Sequence, residues 1–452
     1  MSSILSQRKN FIKLTAIFAV YLFTFLFSEF LVNSRVAEVF DAAVVNAVYA
    51  GGLCSTALGF LIYGFFGRRI RQYKSIGLIV LAVFVVSVVI VQFCSIQPVF
   101  IAASVLTLMT FGIAGGLVHY LISAASANKN QFGRITGFGI AAATVIQFLI
   151  QDVIGISVIE RVSIVAGAAV LYILIAKTPK PTQTAPRRGR SPMLGATVFT
   201  AAAVVLMTFA FSFTDGMITM LDAKGIINIY SYPRLVYAAS SVLAGFIADI
   251  RKRQFMPFSA GCAMVLFMLS FLPFSTSRFY QLGTATLYFF SGFYVVYLTV
   301  GFMDIAPESN HPELVAGMGR IARSLTAAAA VIPATGIFTA YGTAPVTVIA
   351  IFICISLFVL FFASGKLNFS HSTPAAEIGD PPDRLMLWQE KYSLTPRETE
   401  IVKKLLVSDE PVPQMAKELF ISERVLYRHL SSIYEKTETK SRVGLIIKFH
   451  DQ

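Results

Sequence analysis

Two sets of residues in this chain have the types and spacing to do chemistry. The first lies in a charged run, LTPRETEIVKKLLVSDEPVPQMAKELFISERVLYRHLSSIYEKTETKSRVGLI, from Leu394 to Ile446. Ser422 is placed to cap a helix, and Arg424, Tyr427, Arg428 and His429 follow it as hydrogen-bonding groups. Lys436, Lys440 and Arg442 add cations further on. Such groups grip partners by charge and hydrogen bonds. The second set is Glu29, Asp215, Arg234 and Tyr294, polar groups in or at the ends of apolar runs. Ionisable residues are costly there and mark candidate ligand sites, and Tyr294 is a candidate cavity-lining aromatic. His119, Asp304, Arg320 and Arg323 are expected near inner span ends, the arginines as interfacial anchors or in ion pairs. No phosphate-binding loop, metal-ligand cluster or nucleophile elbow occurs, so neither an enzyme nor a cofactor is expected.

The elements that must position these residues follow from composition. Of the 452 residues, 56% are hydrophobic and only 13% charged, with mean hydropathy +0.71. Soluble domains carry roughly 25% charged residues. Apolar runs lie near 12–32, 43–66, 75–95, 98–125, 134–153, 157–176, 195–215, 230–249, 255–275, 280–304, 317–340 and 343–364. They predict about twelve spans, each of roughly 20 residues. The linker TPKPTQTAPRRGRSPM divides them into halves, 1–177 and 195–365. A polar linker at 366–388 then leads to a head at 389–452. Cys54, Cys94, Cys262 and Cys354 fall in apolar runs without pairing motifs, which suggests packing roles. The basic start with Arg8, Lys9 and Lys13 and its apolar run read as a retained first span.

Charge distribution sets an orientation. Up to Gly365 there are 24 lysines and arginines against 11 acids; beyond it there are 13 of each. The excess thus belongs to the membrane part. Alternate loops and the N-terminus hold 19 basic residues, and the remaining loops only Arg35, Arg161, Lys224 and Arg278. This bias predicts a multi-pass protein of the inner (cytoplasmic) membrane with both termini cytoplasmic.

Six-plus-six halves with matching basic loops, GFFGRRIRQYK and GFIADIRKRQ, resemble the major facilitator superfamily over roughly residues 10–365. The family's Gly-x-x-x-Asp-basic pattern is met by Gly245, Asp249, Arg251 and Arg253. The first copy has Gly64, Arg68, Arg69 and Arg71 but no acid.

In the head, Thr395, Pro396 and Glu398 form a capping-box signature. Ile401, Val402, Leu405 and Leu406 make an apolar stripe, and Met415, Ala416 and Leu419 face inward on a short second helix. Phe420-Ile421 turns the chain into a longer helix carrying Val425, Leu426, Leu430 and Ile433. Two helices around a tight turn make a helix-turn-helix. The order Leu394-Thr395-Pro396-Arg397-Glu398, Met415-Ala416, Leu419, Ile421-Ser422, His429, Ile433, Lys436 and Lys440-Ser441-Arg442 resembles the LuxR/FixJ-type DNA-binding domain. The expected fold is therefore all-α: a polytopic bundle of two six-helix halves, then a four-helix head.

The resemblance implies that the helix from Ser422 to Glu435 enters the major groove. Lys436, Lys440 and Arg442 would approach phosphates, and Arg424 and Arg428 bases or phosphates. The family usually has Thr-Val-Lys where this chain has Val425-Leu426-Tyr427, losing a hydroxyl and an ammonium. Weaker intrinsic affinity and a homodimer on paired half-sites are expected. The whole chain reads as a membrane-bound one-component transcriptional regulator whose partners are DNA, lipid and a small molecule. A facilitator-type transporter with a regulatory or protein-interaction tail is the alternative.

Overall fold

The computed structural model describes residues 2–40, 42–72, 74–125, 131–155, 157–178, 192–223, 228, 231–253, 255–271, 280–341, 343–369, 385, 388–407, 412–419, 421–439 and 441–450. The chain divides into two compact units, Met1–Ser364 and Gly365–Gln452.

The first unit is helical through most of its described length. Its first half comprises α1 (Ser2–Val39), α2 (Ala42–Gln72), α3 (Lys74–Phe93), α4 (Gln97–Ala125), α5 (Phe132–Phe148) and α6 (Ser157–Ala176). The second half comprises α7 (Pro192–Ala223), α8 (Pro233–Asp249), α9 (Met256–Phe271), α10 (Tyr280–Ile305), α11 (Pro312–Tyr341) and α12 (Thr343–Phe369). Proline opens α7, α8 and α11, where a missing N–H costs nothing. A π-turn at Leu149–Ile154 ends α5 at Gly155, whose φ is 63°. Among the described residues, eight helices are long and apolar enough to cross a membrane. Many large apolar side chains face outward, including Phe65, Ile79, Phe258 and Phe352. That is the surface of a multi-pass membrane protein, because lipid rather than water satisfies it.

Small residues set how closely the helices approach. α2 packs on α4 through Gly59 and Gly112, and a Cβ on either would overlap the facing backbone. α5 packs on α8 in the same way, through Gly133, Gly137 and Gly245. With no hydrophobic force between helices in lipid, such contact is the main attraction. Gly112→Val is expected to force α2 from α4 and cost about 1–3 kcal/mol, the usual cost of overpacking. A melt of the detergent-solubilised chain followed by helical circular dichroism measures it.

The halves meet most broadly at α2–α11 and α5–α8. Arg71 bridges the first interface, donating to the Glu313 carboxylate at 2.8 Å and the Tyr63 hydroxyl at 2.7 Å. Asp249 bridges the second, accepting from the backbone N–H groups of Gly133 (2.8 Å) and Arg134 (2.9 Å). It therefore caps α5 from the other half and uses that helix's positive end. Its carboxylate also pairs with Arg134 and Arg253, and Arg253 pairs in turn with Asp304. Arg253 has φ 73°, an uncommon backbone state for a residue with a side chain, and these partners hold it there. The acid missing from the first loop is supplied from α11, as Glu313.

The second unit holds α13 (Pro396–Val407), α14 (Val412–Glu418), α15 (Glu423–Lys436) and α16 (Arg442–His450). Its core gathers Trp388, Leu394, Ile401, Val402, Leu405, Met415, Leu426, Leu430, Ile433, Leu445 and Phe449. Trp388 meets Tyr392 and Phe449 edge-on, at 4.8 and 4.9 Å between ring centres. Its ring partners lie just before Pro396–Val407 and on the last helix, and it shares one core with Ile401, Val402 and Leu405. Most of the sequence linker at 366–388 lies outside the described residues.

Candidate nucleic-acid interface and central polar cluster

The head's site is built from its caps outward. The Thr395 N–H donates to the Glu398 carboxylate at 2.8 Å, and the Glu398 N–H donates to the Thr395 hydroxyl at 3.2 Å. This capping box starts α13 after the expected Pro396. Ser422 caps α15 with extended backbone, and its hydroxyl accepts from the Val425 N–H at 3.4 Å.

α15 then divides cleanly into two faces. Leu426, Leu430 and Ile433 are buried in the core. Arg424, Tyr427, Arg428 and Ser431 are exposed at i, i+3, i+4 and i+7, one continuous stripe. Tyr427 is 55% exposed, unusual for so large an apolar ring. His429 is half-buried beside the stripe. A short helix, a turn and a longer helix that shows two arginines and a phenol to solvent can enter a groove lined with anions and acceptors.

Two expected phosphate contacts have other occupations in this structure. Lys436 donates to the buried Glu398 carboxylate at 2.7 Å and to the Ser393 carbonyl at 3.1 Å. Arg442 donates to the Leu405 carbonyl at 3.3 Å, tying α16 to α13. Both link elements of the head. Lys440 lies outside the described residues.

The Glu398 carboxyl is strongly perturbed. Burial alone would raise its carboxyl. The bonds from Lys436, Ser432 and Thr395 outweigh that and hold it at about 2. A carboxyl depressed on folding stabilises the fold above its unfolded pKa, near 4.3, and that stability fades as pH falls through the folded value. The head should therefore lose roughly 3 kcal/mol between about pH 5 and pH 2, a figure from the size of the depression. Urea unfolding followed by Trp388 fluorescence, the chain's single tryptophan, reads this out. Glu398→Gln should be less stable at neutral pH and lack that acid limb; an equally steep limb in the variant would contradict the assignment.

In the membrane unit, Tyr294 is 1% exposed, and its hydroxyl shares a 2.6 Å hydrogen bond with Thr208 of α7. Its ring stacks on Phe211 and Phe290. Arg234 is half-buried at the start of α8, its guanidinium 6.0 Å from the centre of the Tyr288 ring. Glu29 is half-buried on α1, and its charge reaches Tyr21 and Tyr237. Arg234 also acts on Tyr237, so Glu29 and Arg234 share one neighbour. Asp215 lies on α7, with its side chain outside the described residues.

Three further residues join this interior. Arg320 is buried within electrostatic reach of Tyr21, Tyr237 and Tyr294, and Arg323 bonds the Tyr294 hydroxyl. His119 is 1% exposed, ringed by Phe18, Tyr21 and Phe60. The apolar run that holds both arginines begins at 317, which places them near its inner end. The helix begins at Pro312, so Arg320 sits eight residues, or about 12 Å, inside it. Pro312-Glu313, proline and acid at a helix start, was the available signal.

Comparison with known proteins agrees with each unit. Residues 392–449 match the family described as bacterial regulatory proteins, luxR family. The spore germination protein GerE of Bacillus subtilis (strain 168) is 38% identical over 61 residues, covering 14% of this chain and 81% of that protein. The crystal structure of the human organic anion transporter MFSD10 (TETRAN) superposes with a TM-score of 0.58 at 13% identity, covering 78% of this chain and 99% of that one. At that identity the likeness concerns the fold: the membrane unit has the architecture of a major facilitator transporter.

Proposed function

The chain belongs, through its C-terminal unit, to the luxR family of bacterial regulatory proteins, and we propose that it is a membrane-bound, one-component transcriptional regulator. In this reading the facilitator-like bundle binds a small molecule, and its change of state alters how the head engages DNA. The observation that carries it is the exposed Arg424–Tyr427–Arg428–Ser431 stripe, on the same chain as a multi-pass bundle with a polar interior. Both termini are taken as cytoplasmic. The basic loops support that side, and an even number of crossings returns the C-terminus to it. A ligand shifts the bundle only if it binds two states unequally. Dimerisation on paired half-sites follows from the few phosphate contacts one head offers.

The test uses the full chain in lipid nanodiscs with a labelled duplex from upstream of its own gene. Binding that weakens steeply with salt is expected. No binding even at low ionic strength would sink the reading. Transport is the second reading, favoured by the fold shared with a transporter. Its check is proton-coupled solute uptake by vesicles carrying a chain that ends at Ser364.

A further inference from the structure

Among the described residues, Arg320 is a buried charge with no ion-pair partner. Arg320 on α11 is 7% exposed, and its Nε and Nη2 have no hydrogen-bond partner. Ion pairs seen among the described residues of this unit include Arg35–Glu38, Arg71–Glu313, Arg134–Asp249, Arg253–Asp249 and Arg253–Asp304. None involves Arg320. A buried guanidinium without a counter-charge is strongly unfavourable. Arg323 adds a second positive charge beside it.

A second unsatisfied group stands close by. His119 places its Nδ1 2.7 Å from the Gly115 carbonyl, so Nδ1 carries the proton. Its Nε2 is then an acceptor, and that atom is buried without a partner. The histidine is near enough to feel the charge of Arg320. The Tyr21 ring of α1 meets the His119 ring edge-on, and Arg320 lies within electrostatic reach of Tyr21, Tyr237 of α8 and Tyr294 of α10. The elements come from both halves of the bundle. A guanidinium fork matches a carboxylate in two parallel hydrogen bonds. Phenol rings suit a flat apolar body. At Tyr237 the charges of Arg320, Arg323 and Arg234 are opposed by that of Glu29, so the described cluster is net positive and favours an anion.

We propose that Arg320 anchors a binding site for a small aromatic monocarboxylate, held between the two halves with its ring among Tyr21, Tyr237 and Tyr294. The site rests on the sensing reading for its consequence, not for its binding chemistry. A hydroxyl on the ligand's ring is the partner that His119 Nε2 lacks.

Calorimetry on the full chain in lipid nanodiscs tests this with benzoate, 4-hydroxybenzoate, phenylacetate and neutral benzamide. At least one acid should bind, with benzamide weaker by about tenfold or more. Arg320→Gln should lose that preference, and Arg320→Lys should keep part of it, since the charge remains and the fork is gone. Equal binding of benzoate and benzamide overturns the proposal, as does no heat from any acid up to millimolar concentration. So does unchanged acid binding by Arg320→Gln. The comparison of acid with amide in the unaltered chain decides the matter even where a variant fails to fold. DNA affinity measured in the same samples separates this proposal from the sensing reading. An acid that binds through Arg320 without changing DNA affinity leaves the site standing and removes the sensor role. DNA affinity that responds to benzamide and benzoate alike does the reverse.

Discussion

Asp249→Ala should destabilise the membrane unit more than any other single change at the end of the bundle where the basic loops lie. Three separate interactions end on this carboxylate. It caps α5 through two backbone N–H groups, pairs with Arg134 and pairs with Arg253. The side chain is only 5% exposed, so the pairs are poorly screened. Removing one partner of a buried pair typically costs about 3–5 kcal/mol, because the other charge stays buried. Arg253 keeps Asp304, which limits the loss on that side. Arg134 is more than a third exposed and can turn to solvent. An overall loss of about 4 kcal/mol is therefore expected, including about 1 for the cap. Asp249→Asn keeps an acceptor for one N–H but no charge, so it should fall between. Detergent melts read by helical circular dichroism measure both. A melt for Asp249→Ala within a degree or two of the unaltered chain would show that the halves are held elsewhere. Glu313→Gln, which breaks only the Arg71 bridge, should cost less.

These bridges also mark where sequence stops being legible. Apolar runs report directly on lipid exposure, and among the described residues twelve helices follow the twelve runs in order. Their ends were less certain, because polarity fades gradually at an interface while a helix ends at a cap or proline. The helix that holds Arg320 begins at Pro312, five residues before its apolar run, and Arg320 is buried within it. Local chemistry was readable: Thr395, Pro396 and Glu398 lie within one turn, and their capping box follows from spacing. Pairings across the fold were not. Arg71 and Glu313 are 242 residues apart, and nothing in either loop names the other. Lys436 read as a cation for phosphate because its partner Glu398 lies 38 residues away, on another helix. Of the four ligand candidates, Tyr294 is buried beside Thr208, while Glu29 and Arg234 both reach Tyr237 by charge. The buried centre, Arg320 with His119, needed the tertiary packing of α1, α4, α8, α10 and α11.

Arg424→Ala with Arg428→Ala should abolish specific DNA binding while leaving the head folded. Both side chains are exposed on α15 and neither joins the core, so their removal costs the fold little. A bidentate arginine–guanine contact is worth about 1–3 kcal/mol, and a phosphate contact changes the salt slope by about one. The two substitutions together should weaken binding about a hundredfold or more at moderate salt. Lys436→Ala makes the contrast. Its ammonium holds Glu398 and the Ser393 carbonyl, so its loss should lower head stability first and affinity second. Tyr427→Lys runs the other way. It restores an ammonium to an exposed position on the stripe, and should tighten binding and steepen the salt slope by about one. Fluorescence anisotropy on a labelled duplex across salt gives affinity and slope, and Trp388 emission reports the fold. Unchanged affinity in the double arginine variant, with Trp388 emission intact, would move the interface off α15. A Tyr427→Lys chain with no gain in slope would show that this position faces no phosphate.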